Sequence, residues 1–253
     1  MERLKVTENH VKAANRQFYD AVADQYEEID GRRSSTLETW LRMNLTVIRK
    51  RAPGGSLLDI GTGSGLVTRC AGGLFVLRVG IDLSSRILVA NRNAFDFGVT
   101  ADVGGLPFAD KSFDVITCFA VLHHLYAFEG LVSEVARVLK PGGVFYSDHD
   151  LDVSFSRRFR PLLLLYRRFH NAESKYRKAS DEITQELYNL TEWQENGIDS
   201  LDLIRSFQRA GFSVETKFHW FGLTPALDRV LGTTPLGRGW APLLSIVAIG
   251  GKA

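Results

Sequence analysis

The sequence predicts a doubly wound, mostly parallel α/β sheet with N-terminal helices and a helical lid inserted before the last two strands. Three observations predict it. Short apolar runs at Ser56–Ile60, Phe75–Ile81, Phe113–Phe119 and Gly143–Ser147 alternate with helical segments at 64–71, 84–95 and 129–139. The runs are largely apolar throughout, which marks strands covered on both faces, and right-handed crossovers then wind helices onto both sides. A glycine-rich turn, Gly61-Thr62-Gly63-Ser64-Gly65, directly follows the first run, where backbone can approach a ligand closely.

Around that centre the chain reads as one domain with four parts. Residues 1–52 form an N-terminal helical cap, with one helix over 7–27 (Val11, Ala14, Phe18, Ala21 and Val22 near one face). A second spans 35–51, carries Leu37, Trp40, Leu41, Leu45 and Ile48, and is stopped by Pro53-Gly54-Gly55. Residues 53–150 are the ligand-binding core. Residues 151–197, rich in Arg, Tyr and Phe, form a helical lid over the substrate. Residues 198–253 complete the sheet with a helix at 199–210, a strand at 212–219 and a strand at Leu243–Gly250. Thr233–Pro242, rich in Gly and Pro, reads as a surface loop and a candidate partner interface.

The 253 residues are 45% hydrophobic, enough for a sizeable core, and 31 Lys+Arg against 29 Asp+Glu leave a net charge of +2. That balance gives no global argument for nucleic acid or an anionic membrane. Cys70 and Cys118 lack metal-ligand spacing, so no metal is expected. They read as reduced core thiols of a cytoplasmic protein, and two cysteines exclude a three-cysteine iron–sulfur site. Met1–His10 is polar, without an apolar signal region, and the apolar run Pro161–Tyr166 is far too short to span a bilayer.

Glycine spacing discriminates between cofactors. A dinucleotide fingerprint is G-x-G-x-x-G, whereas Gly61, Gly63 and Gly65 give G-x-G-x-G with Leu66 next. Asp59, just before the turn, repels a pyrophosphate but can help hold an ammonium group. Asp82 ends the second strand, where a carboxylate accepts from ribose hydroxyls; this fits NAD equally well. Asp102 can accept from an adenine amino group while the backbone N–H of Val103 donates to the ring, between Leu83 and Leu106. S-adenosyl-L-methionine has the ammonium, the ribose and the adenine, and no phosphate.

From Leu57 to Gly143 the chain resembles the small-molecule class I methyltransferase family of the ubiquinone/menaquinone-methyltransferase type. The family's motifs stand in order: the glycine turn, Gly80-Ile81-Asp82-Leu83-Ser84, Leu106-Pro107-Phe108, Phe113-Asp114-Val115-Ile116, Leu122-His123-His124-Leu125, and Glu134 through Gly143. Phe18-Tyr19-Asp20-Ala21-Val22-Ala23-Asp24-Gln25-Tyr26 resembles the family's first helix, which often closes over the cofactor. The resemblance implies a Rossmann-like class I methyltransferase fold. It also implies S-adenosyl-L-methionine as donor, S-adenosyl-L-homocysteine as product, and an O, N or C nucleophile of a small molecule as acceptor. Cofactor-binding candidates are Asp59, Gly61, Thr62, Gly63, Gly65, Asp82, Leu83, Asp102 and Val103, with a backbone carbonyl at Cys118 or Phe119 for the ammonium. Tyr19 and Tyr26 serve the cofactor or substrate, or pack a lid helix. The resemblance fades after about residue 150, where family members choose substrates.

Methyl transfer from a sulfonium needs alignment and water exclusion, with a base for an oxygen or carbon nucleophile. His149, in Ser147-Asp148-His149-Asp150, ranks first as base; the alternative is a solvated loop histidine. His124 and His123 follow the fourth strand and are the other candidates, unless they cap or pack the next helix. Residues 151–180 carry eight basic residues (Arg157, Arg158, Arg160, Arg167, Arg168, Lys175, Arg177, Lys178) against Asp152 and Glu173, a local +6. Leu162–Leu165, Tyr166 and Phe169 are interleaved. This reads either as a lid with a basic rim, suited to a hydrophobic or anionic substrate or a membrane surface, or as an ordinary amphipathic helix. Trp193, Phe218, Trp220 and Phe221 belong to the pocket or to the core. Rival readings are an NAD-dependent oxidoreductase, disfavoured by Asp59 and the glycine spacing, and an RNA or other nucleic-acid methyltransferase using the basic insertion. The fourth strand ends without an N/D-P-P-Y/F motif. A non-catalytic cofactor-binding regulator is the third.

Overall fold

A computed structural model describes residues 6–30, 34–169 and 172–251; the polar stretch at Met1–Lys5 and the side chain of Phe169, both used above, lie outside the described residues. The elements are α1 (Glu8–Val22), α2 (Tyr26–Asp30), α3 (Ser35–Arg51), β1 (Ser56–Ile60), α4 (Leu66–Cys70), β2 (Leu77–Asp82), α5 (Ser85–Ala90), β3 (Phe97–Thr100) and β4 (Phe113–Phe119). After a 3₁₀ turn at Leu122–His124 follow α6 (Glu129–Val138), β5 (Leu139–Leu151), α7 (Val153–Arg158), α8 (Arg160–Phe169), α9 (Ala172–Ala179), α10 (Gln185–Thr191), α11 (Ser200–Arg209), β6 (Ser213–His219), α12 (Pro225–Val230) and β7 (Leu243–Ile249).

The seven strands lie in the order β3-β2-β1-β4-β5-β7-β6. β3, β2, β1, β4 and β5 pair in parallel; β7 runs antiparallel to β5 and β6. The chain reverses its winding direction between β1 and β4, so a crevice opens at their carboxyl ends. All five residues of β1 are buried, as expected of a strand sandwiched between helix layers. One layer joins Leu131, Val135 and Val138 of α6 and Leu203 and Phe207 of α11 to the sheet. The other joins Leu41, Leu45 and Ile48 of α3 to Leu57, Val115 and Val144. The apolar spacing of α3 thus makes it a wall of the core rather than part of a detached cap.

Four expectations change. The helix over 7–27 breaks at Ala23–Gln25 into α1 and α2, which turns Tyr26 onto the crevice; Gln25 N–H donates to Val22 O across the break. α4 and α5 are each shorter than the segments read at 64–71 and 84–95. β5 runs well past both ends of the Gly143–Ser147 run, because its carboxyl half pairs with β7. Thr233–Pro242 is not merely a surface loop: Ala241 is fully buried, Leu236 N–H donates to Phe218 O, and Arg238 reaches the buried Asp152. Cys70 and Cys118 are both buried.

α1, α9 and α10 share a small core of Ala14, Phe18, Val22, Tyr176, Leu187 and Tyr188. The insertion therefore packs on the first helix, and that helix, with Val11, Lys12, Asn15 and Tyr19, roofs the carboxyl ends of the strands; no described residue of 151–197 lines the space beneath, so the expected lid braces the roof instead of covering the site directly. Among the described residues no helix is long and apolar enough to cross a membrane.

Candidate active site

A cavity lies under that roof, walled by the glycine turn, the ends of β2, β4 and β5, and the inner face of α1. Gly61, Gly63 and Gly65 all have positive φ (63°, 50° and 74°), a region glycine enters without penalty. A Cβ on Gly61 would stand 2.6 Å from the Val121 side chain, so the turn must stay bare for backbone to face the cavity. Gly65 lies off the wall. It caps α4 with its left-handed backbone, and a Cβ there would meet that of Ala94 at 2.2 Å. Gly65→Ala is expected to cost about 2–4 kcal/mol of stability, from overpacking plus left-handed strain. Urea unfolding checks this; an unchanged midpoint would contradict it.

Asp59 lies on the cavity wall, yet both its oxygens are engaged: Thr117 Oγ1 donates at 2.7 Å and Thr62 Oγ1 at 2.8 Å. It therefore ties the glycine turn to β4. Burial pushes its carboxyl up to about 7, against the two threonine hydrogen bonds. Asp82 accepts from the backbone N–H of Gly63 and of Ser84, each at 3.0 Å. Burial lifts it to about 6 in spite of those donors. Leu83, Asp102 and Val103 follow along the wall. Asp102 is already paired: Oδ1 accepts from Gly104 N–H, and Oδ2 meets Lys12 Nζ at 2.6 Å. Lys12, on the same wall, also pairs with Glu8 at 2.6 Å. Leu106 is buried behind the wall rather than on it.

Tyr19, Tyr26 and His124 form one group. The two tyrosine rings meet edge to face at 5.4 Å, and Tyr19 OH lies 2.8 Å from His124 Nε2. His124 Nδ1 lies 2.8 Å from the Thr191 carbonyl, which can only accept. Nδ1 therefore carries the proton, and Tyr19 O–H donates to Nε2. Burial, with His123 beside it, pushes the His124 ring down to about 4, so it stays neutral near pH 7. His123 stands behind the wall, its Nδ1 at 2.7 Å from the buried Asp150.

His149 does reach the cavity. β5 slips register against β7 between Asp148 and Asp150, so His149 is the extra residue of a β-bulge, at φ 70°. Such bulges re-aim a side chain, and left-handed backbone at a non-glycine residue is strained. The His149 side chain turns toward Trp40 and Phe119 (5.2 and 4.5 Å between centroids). Nδ1 lies 2.7 Å from Asp148 Oδ1, which also accepts from His219 Nε2 at 2.9 Å. Asp148 Oδ2 accepts from Tyr146 OH at 2.9 Å. Burial opposes charge on Asp148, but His219 and His149 more than offset it and hold the carboxyl well below the usual range. The ionised Asp148 accepts from His149 Nδ1–H, and His149 Nε2 has no hydrogen-bond partner among the described residues.

Cys118 sits in the core, where Ile60 and Ser147 flank it in the sheet; Phe119 and Ala120 take the wall position instead. Trp193, Phe218, Trp220 and Phe221 stand off the wall. Phe218 joins the core, Phe221 stacks on Trp40 at 4.9 Å, and Trp193 stacks on the wall residue Tyr126 at 5.3 Å. Sequence reading missed Thr117, Lys12, Asn15 and Gly222. Only Thr117 left a signal, as a polar residue inside an apolar strand. Among the described residues two groups carry metal-donor side chains, His123/His124/Glu192 and Asp148/His149/His219. The hydrogen bonds just described already engage donors of both.

The methyltransferase domain family matches residues 58–147. A demethylmenaquinone methyltransferase of Tropheryma whipplei is 30% identical over 203 residues, covering 78% of this chain and 82% of its own. A ubiquinone biosynthesis O-methyltransferase of Burkholderia vietnamiensis is 36% identical over 116 residues, 43% of this chain; the match spans only 48% of that protein. In fold, the chain superposes on the magnesium protoporphyrin IX methyltransferase of Synechocystis, solved with bound S-adenosylhomocysteine. The TM-score is 0.58 at 13% identity, over 95% of this chain and 100% of that one. The chain belongs to the class I S-adenosylmethionine-dependent methyltransferase family.

Proposed function

We propose that this chain methylates an O, N or C nucleophile of a small hydrophobic or anionic molecule, using S-adenosyl-L-methionine. One observation carries the reading: the glycine turn, Asp59 and Asp82 face one cavity whose single lysine, Lys12, is already paired with Glu8 and Asp102. A pyrophosphate placed there would meet carboxylates and, among the described residues, no free lysine or arginine, whereas an ammonium and a ribose meet acceptors. The residues thus fit the donor. Its sulfonium supplies an electrophilic methyl group for in-line displacement. The chain's part is to hold, orient and exclude water. Asp82 and the bare Gly61–Gly63 backbone hold the ribose side. Leu83 and Val103 flank the base, and Asp102 is available to its amino group through exchange with Lys12. The cap encloses the acceptor through Val11, Asn15, Tyr19 and Tyr26, and the insertion braces the cap from behind.

In this reading His149 Nε2 is the base that takes the acceptor's proton, and Asp148 positions its ring. Tyr19, held by neutral His124, presents its phenolic oxygen to donor or acceptor. The names of two relatives, a ubiquinone biosynthesis O-methyltransferase and a demethylmenaquinone methyltransferase, support a hydrophobic acceptor. Exposing the purified chain to labelled donor and a panel of hydroxylated aromatic acceptors tests the reading. Transfer to none of them, with donor bound, favours a regulator.

A pH dependence follows. Asp59 keeps its proton up to about 7 in the folded chain but only to about 3.8 when unfolded. The folded state therefore loses stability as pH rises through that window. A cationic ligand favours the ionised form and reverses the sign. Thermal stabilisation by S-adenosylmethionine is expected to grow from about pH 5 to about pH 8. Scanning calorimetry across that range checks it; a shift that shrinks with pH would contradict it.

A further inference from the structure

Nothing in the cavity uses the outer face of α8. Leu162, Leu165 and Tyr166 stand at i, i+3 and i+4, one stripe of the helix, and are 55%, 53% and 43% exposed. The half-buried Leu163 and Arg167 define the inner face, where Arg167 donates to the Glu195 carbonyl at 2.6 Å. Beside the stripe's start, Trp240 is 57% exposed. It lies 6.3 Å from the Phe159 ring, with the Arg158 guanidinium 4.1 Å over its face. An isolated exposed leucine needs no explanation, but a leucine stripe with an exposed tryptophan at its end does.

The charge around this apolar strip has one sign. Arg157, Arg158, Arg160 and Arg168 are exposed, and Lys175 and Lys178 extend the rim along α9. Glu173 is occupied by Arg177, and the nearest acid on the other flank, Glu195, by Arg167. Leucine and tryptophan flanked by exposed arginines is the composition of a helix that lies in a membrane interface, its apolar face sunk to the acyl boundary and its cations at headgroup level. The apolar strip continues into a groove that Leu164, Leu165 and Tyr166 share with Tyr188 of α10. α9 and α10 pack on Phe18 of α1, whose inner face lines the cavity through Val11, Asn15 and Tyr19. α8 directly precedes α9 in the chain and shares a groove with α9 and α10, so the strip adjoins the helices that brace the roof.

We propose that α8, with Trp240, is an interfacial docking surface for anionic lipid, seating the roof of the cavity on a membrane. This goes beyond the methyl-transfer reading and does not depend on it, since docking is measured without donor or acceptor.

The test is co-sedimentation of the full chain with phosphatidylcholine vesicles, with and without phosphatidylglycerol. The expected result is binding to the mixed vesicles, little to phosphatidylcholine alone, and release by added salt. Leu162→Ser with Leu165→Ser should weaken binding about tenfold or more at unchanged Tm, since both side chains face solvent. Arg160→Gln with Arg168→Gln should weaken it and flatten the salt dependence. No sedimentation with anionic vesicles overturns the proposal. So does binding that the leucine pair leaves intact, or capture of the basic rim by RNA that vesicles fail to displace.

Discussion

His149→Asn is expected to lower kcat by about 10²–10⁴-fold while the affinity for S-adenosylhomocysteine changes less than about threefold. Asparagine is chosen because the position is left-handed, at φ 70°, and Asn tolerates that backbone better than Ala. The variant therefore keeps the bulge and loses only the ring. The large effect follows from three coincidences: a buried Nε2 without a partner, a neighbouring carboxylate held ionised, and a bulge that swings the side chain to the cavity. Asp148→Asn should follow in the same direction, because it removes the charge that fixes the Nδ1–H tautomer. Single-turnover rates with a confirmed acceptor, set beside binding of the demethylated product, check both. Loss of product affinity equal to the loss of rate would place His149 in ligand holding rather than proton transfer.

Asp82→Ala is expected to weaken binding of S-adenosylhomocysteine by about 100-fold or more. It removes two hydrogen bonds to a charged acceptor, each worth about 1.5–3 kcal/mol. The side chain also receives Gly63 N–H and Ser84 N–H, so its loss loosens the glycine turn as well. Asp82→Asn keeps an acceptor oxygen and should retain part of the affinity. Isothermal titration of the two variants separates these effects. An alanine variant that binds as tightly as the parent would remove Asp82 from the site.

The strand–turn–helix grammar was legible because it is local. β1, the turn and α3 follow from burial period and from Gly and Pro over a few residues, and they stand where the pattern puts them. The helix over 7–27 was not legible in full: nothing between Ala23 and Gln25 is a helix breaker, and the break comes from Tyr26 packing on Tyr19. The site split the same way. Asp59, Gly61, Thr62, Gly63 and Asp82 are readable because strand ends carry them to one crevice. The partner of Asp148 was hidden, since His219 lies 71 residues on and meets it only through the pairing of β5, β7 and β6. The bulge at His149 was hidden for a related reason: it arises from register against β7. Lys12 facing Asp102 depends on how α1 lies across the crevice, a matter of tertiary packing.

The central claim is that the cavity is built for an adenosyl ligand without phosphates. Isothermal titration of the purified chain with S-adenosylhomocysteine, and separately with NAD, tests it most directly. The account predicts one-to-one uptake of the first, with a thermal shift of about 5–11 °C at about 100-fold excess over Kd, and no uptake of NAD. Binding of NAD, or a folded chain that takes up neither, would contradict it.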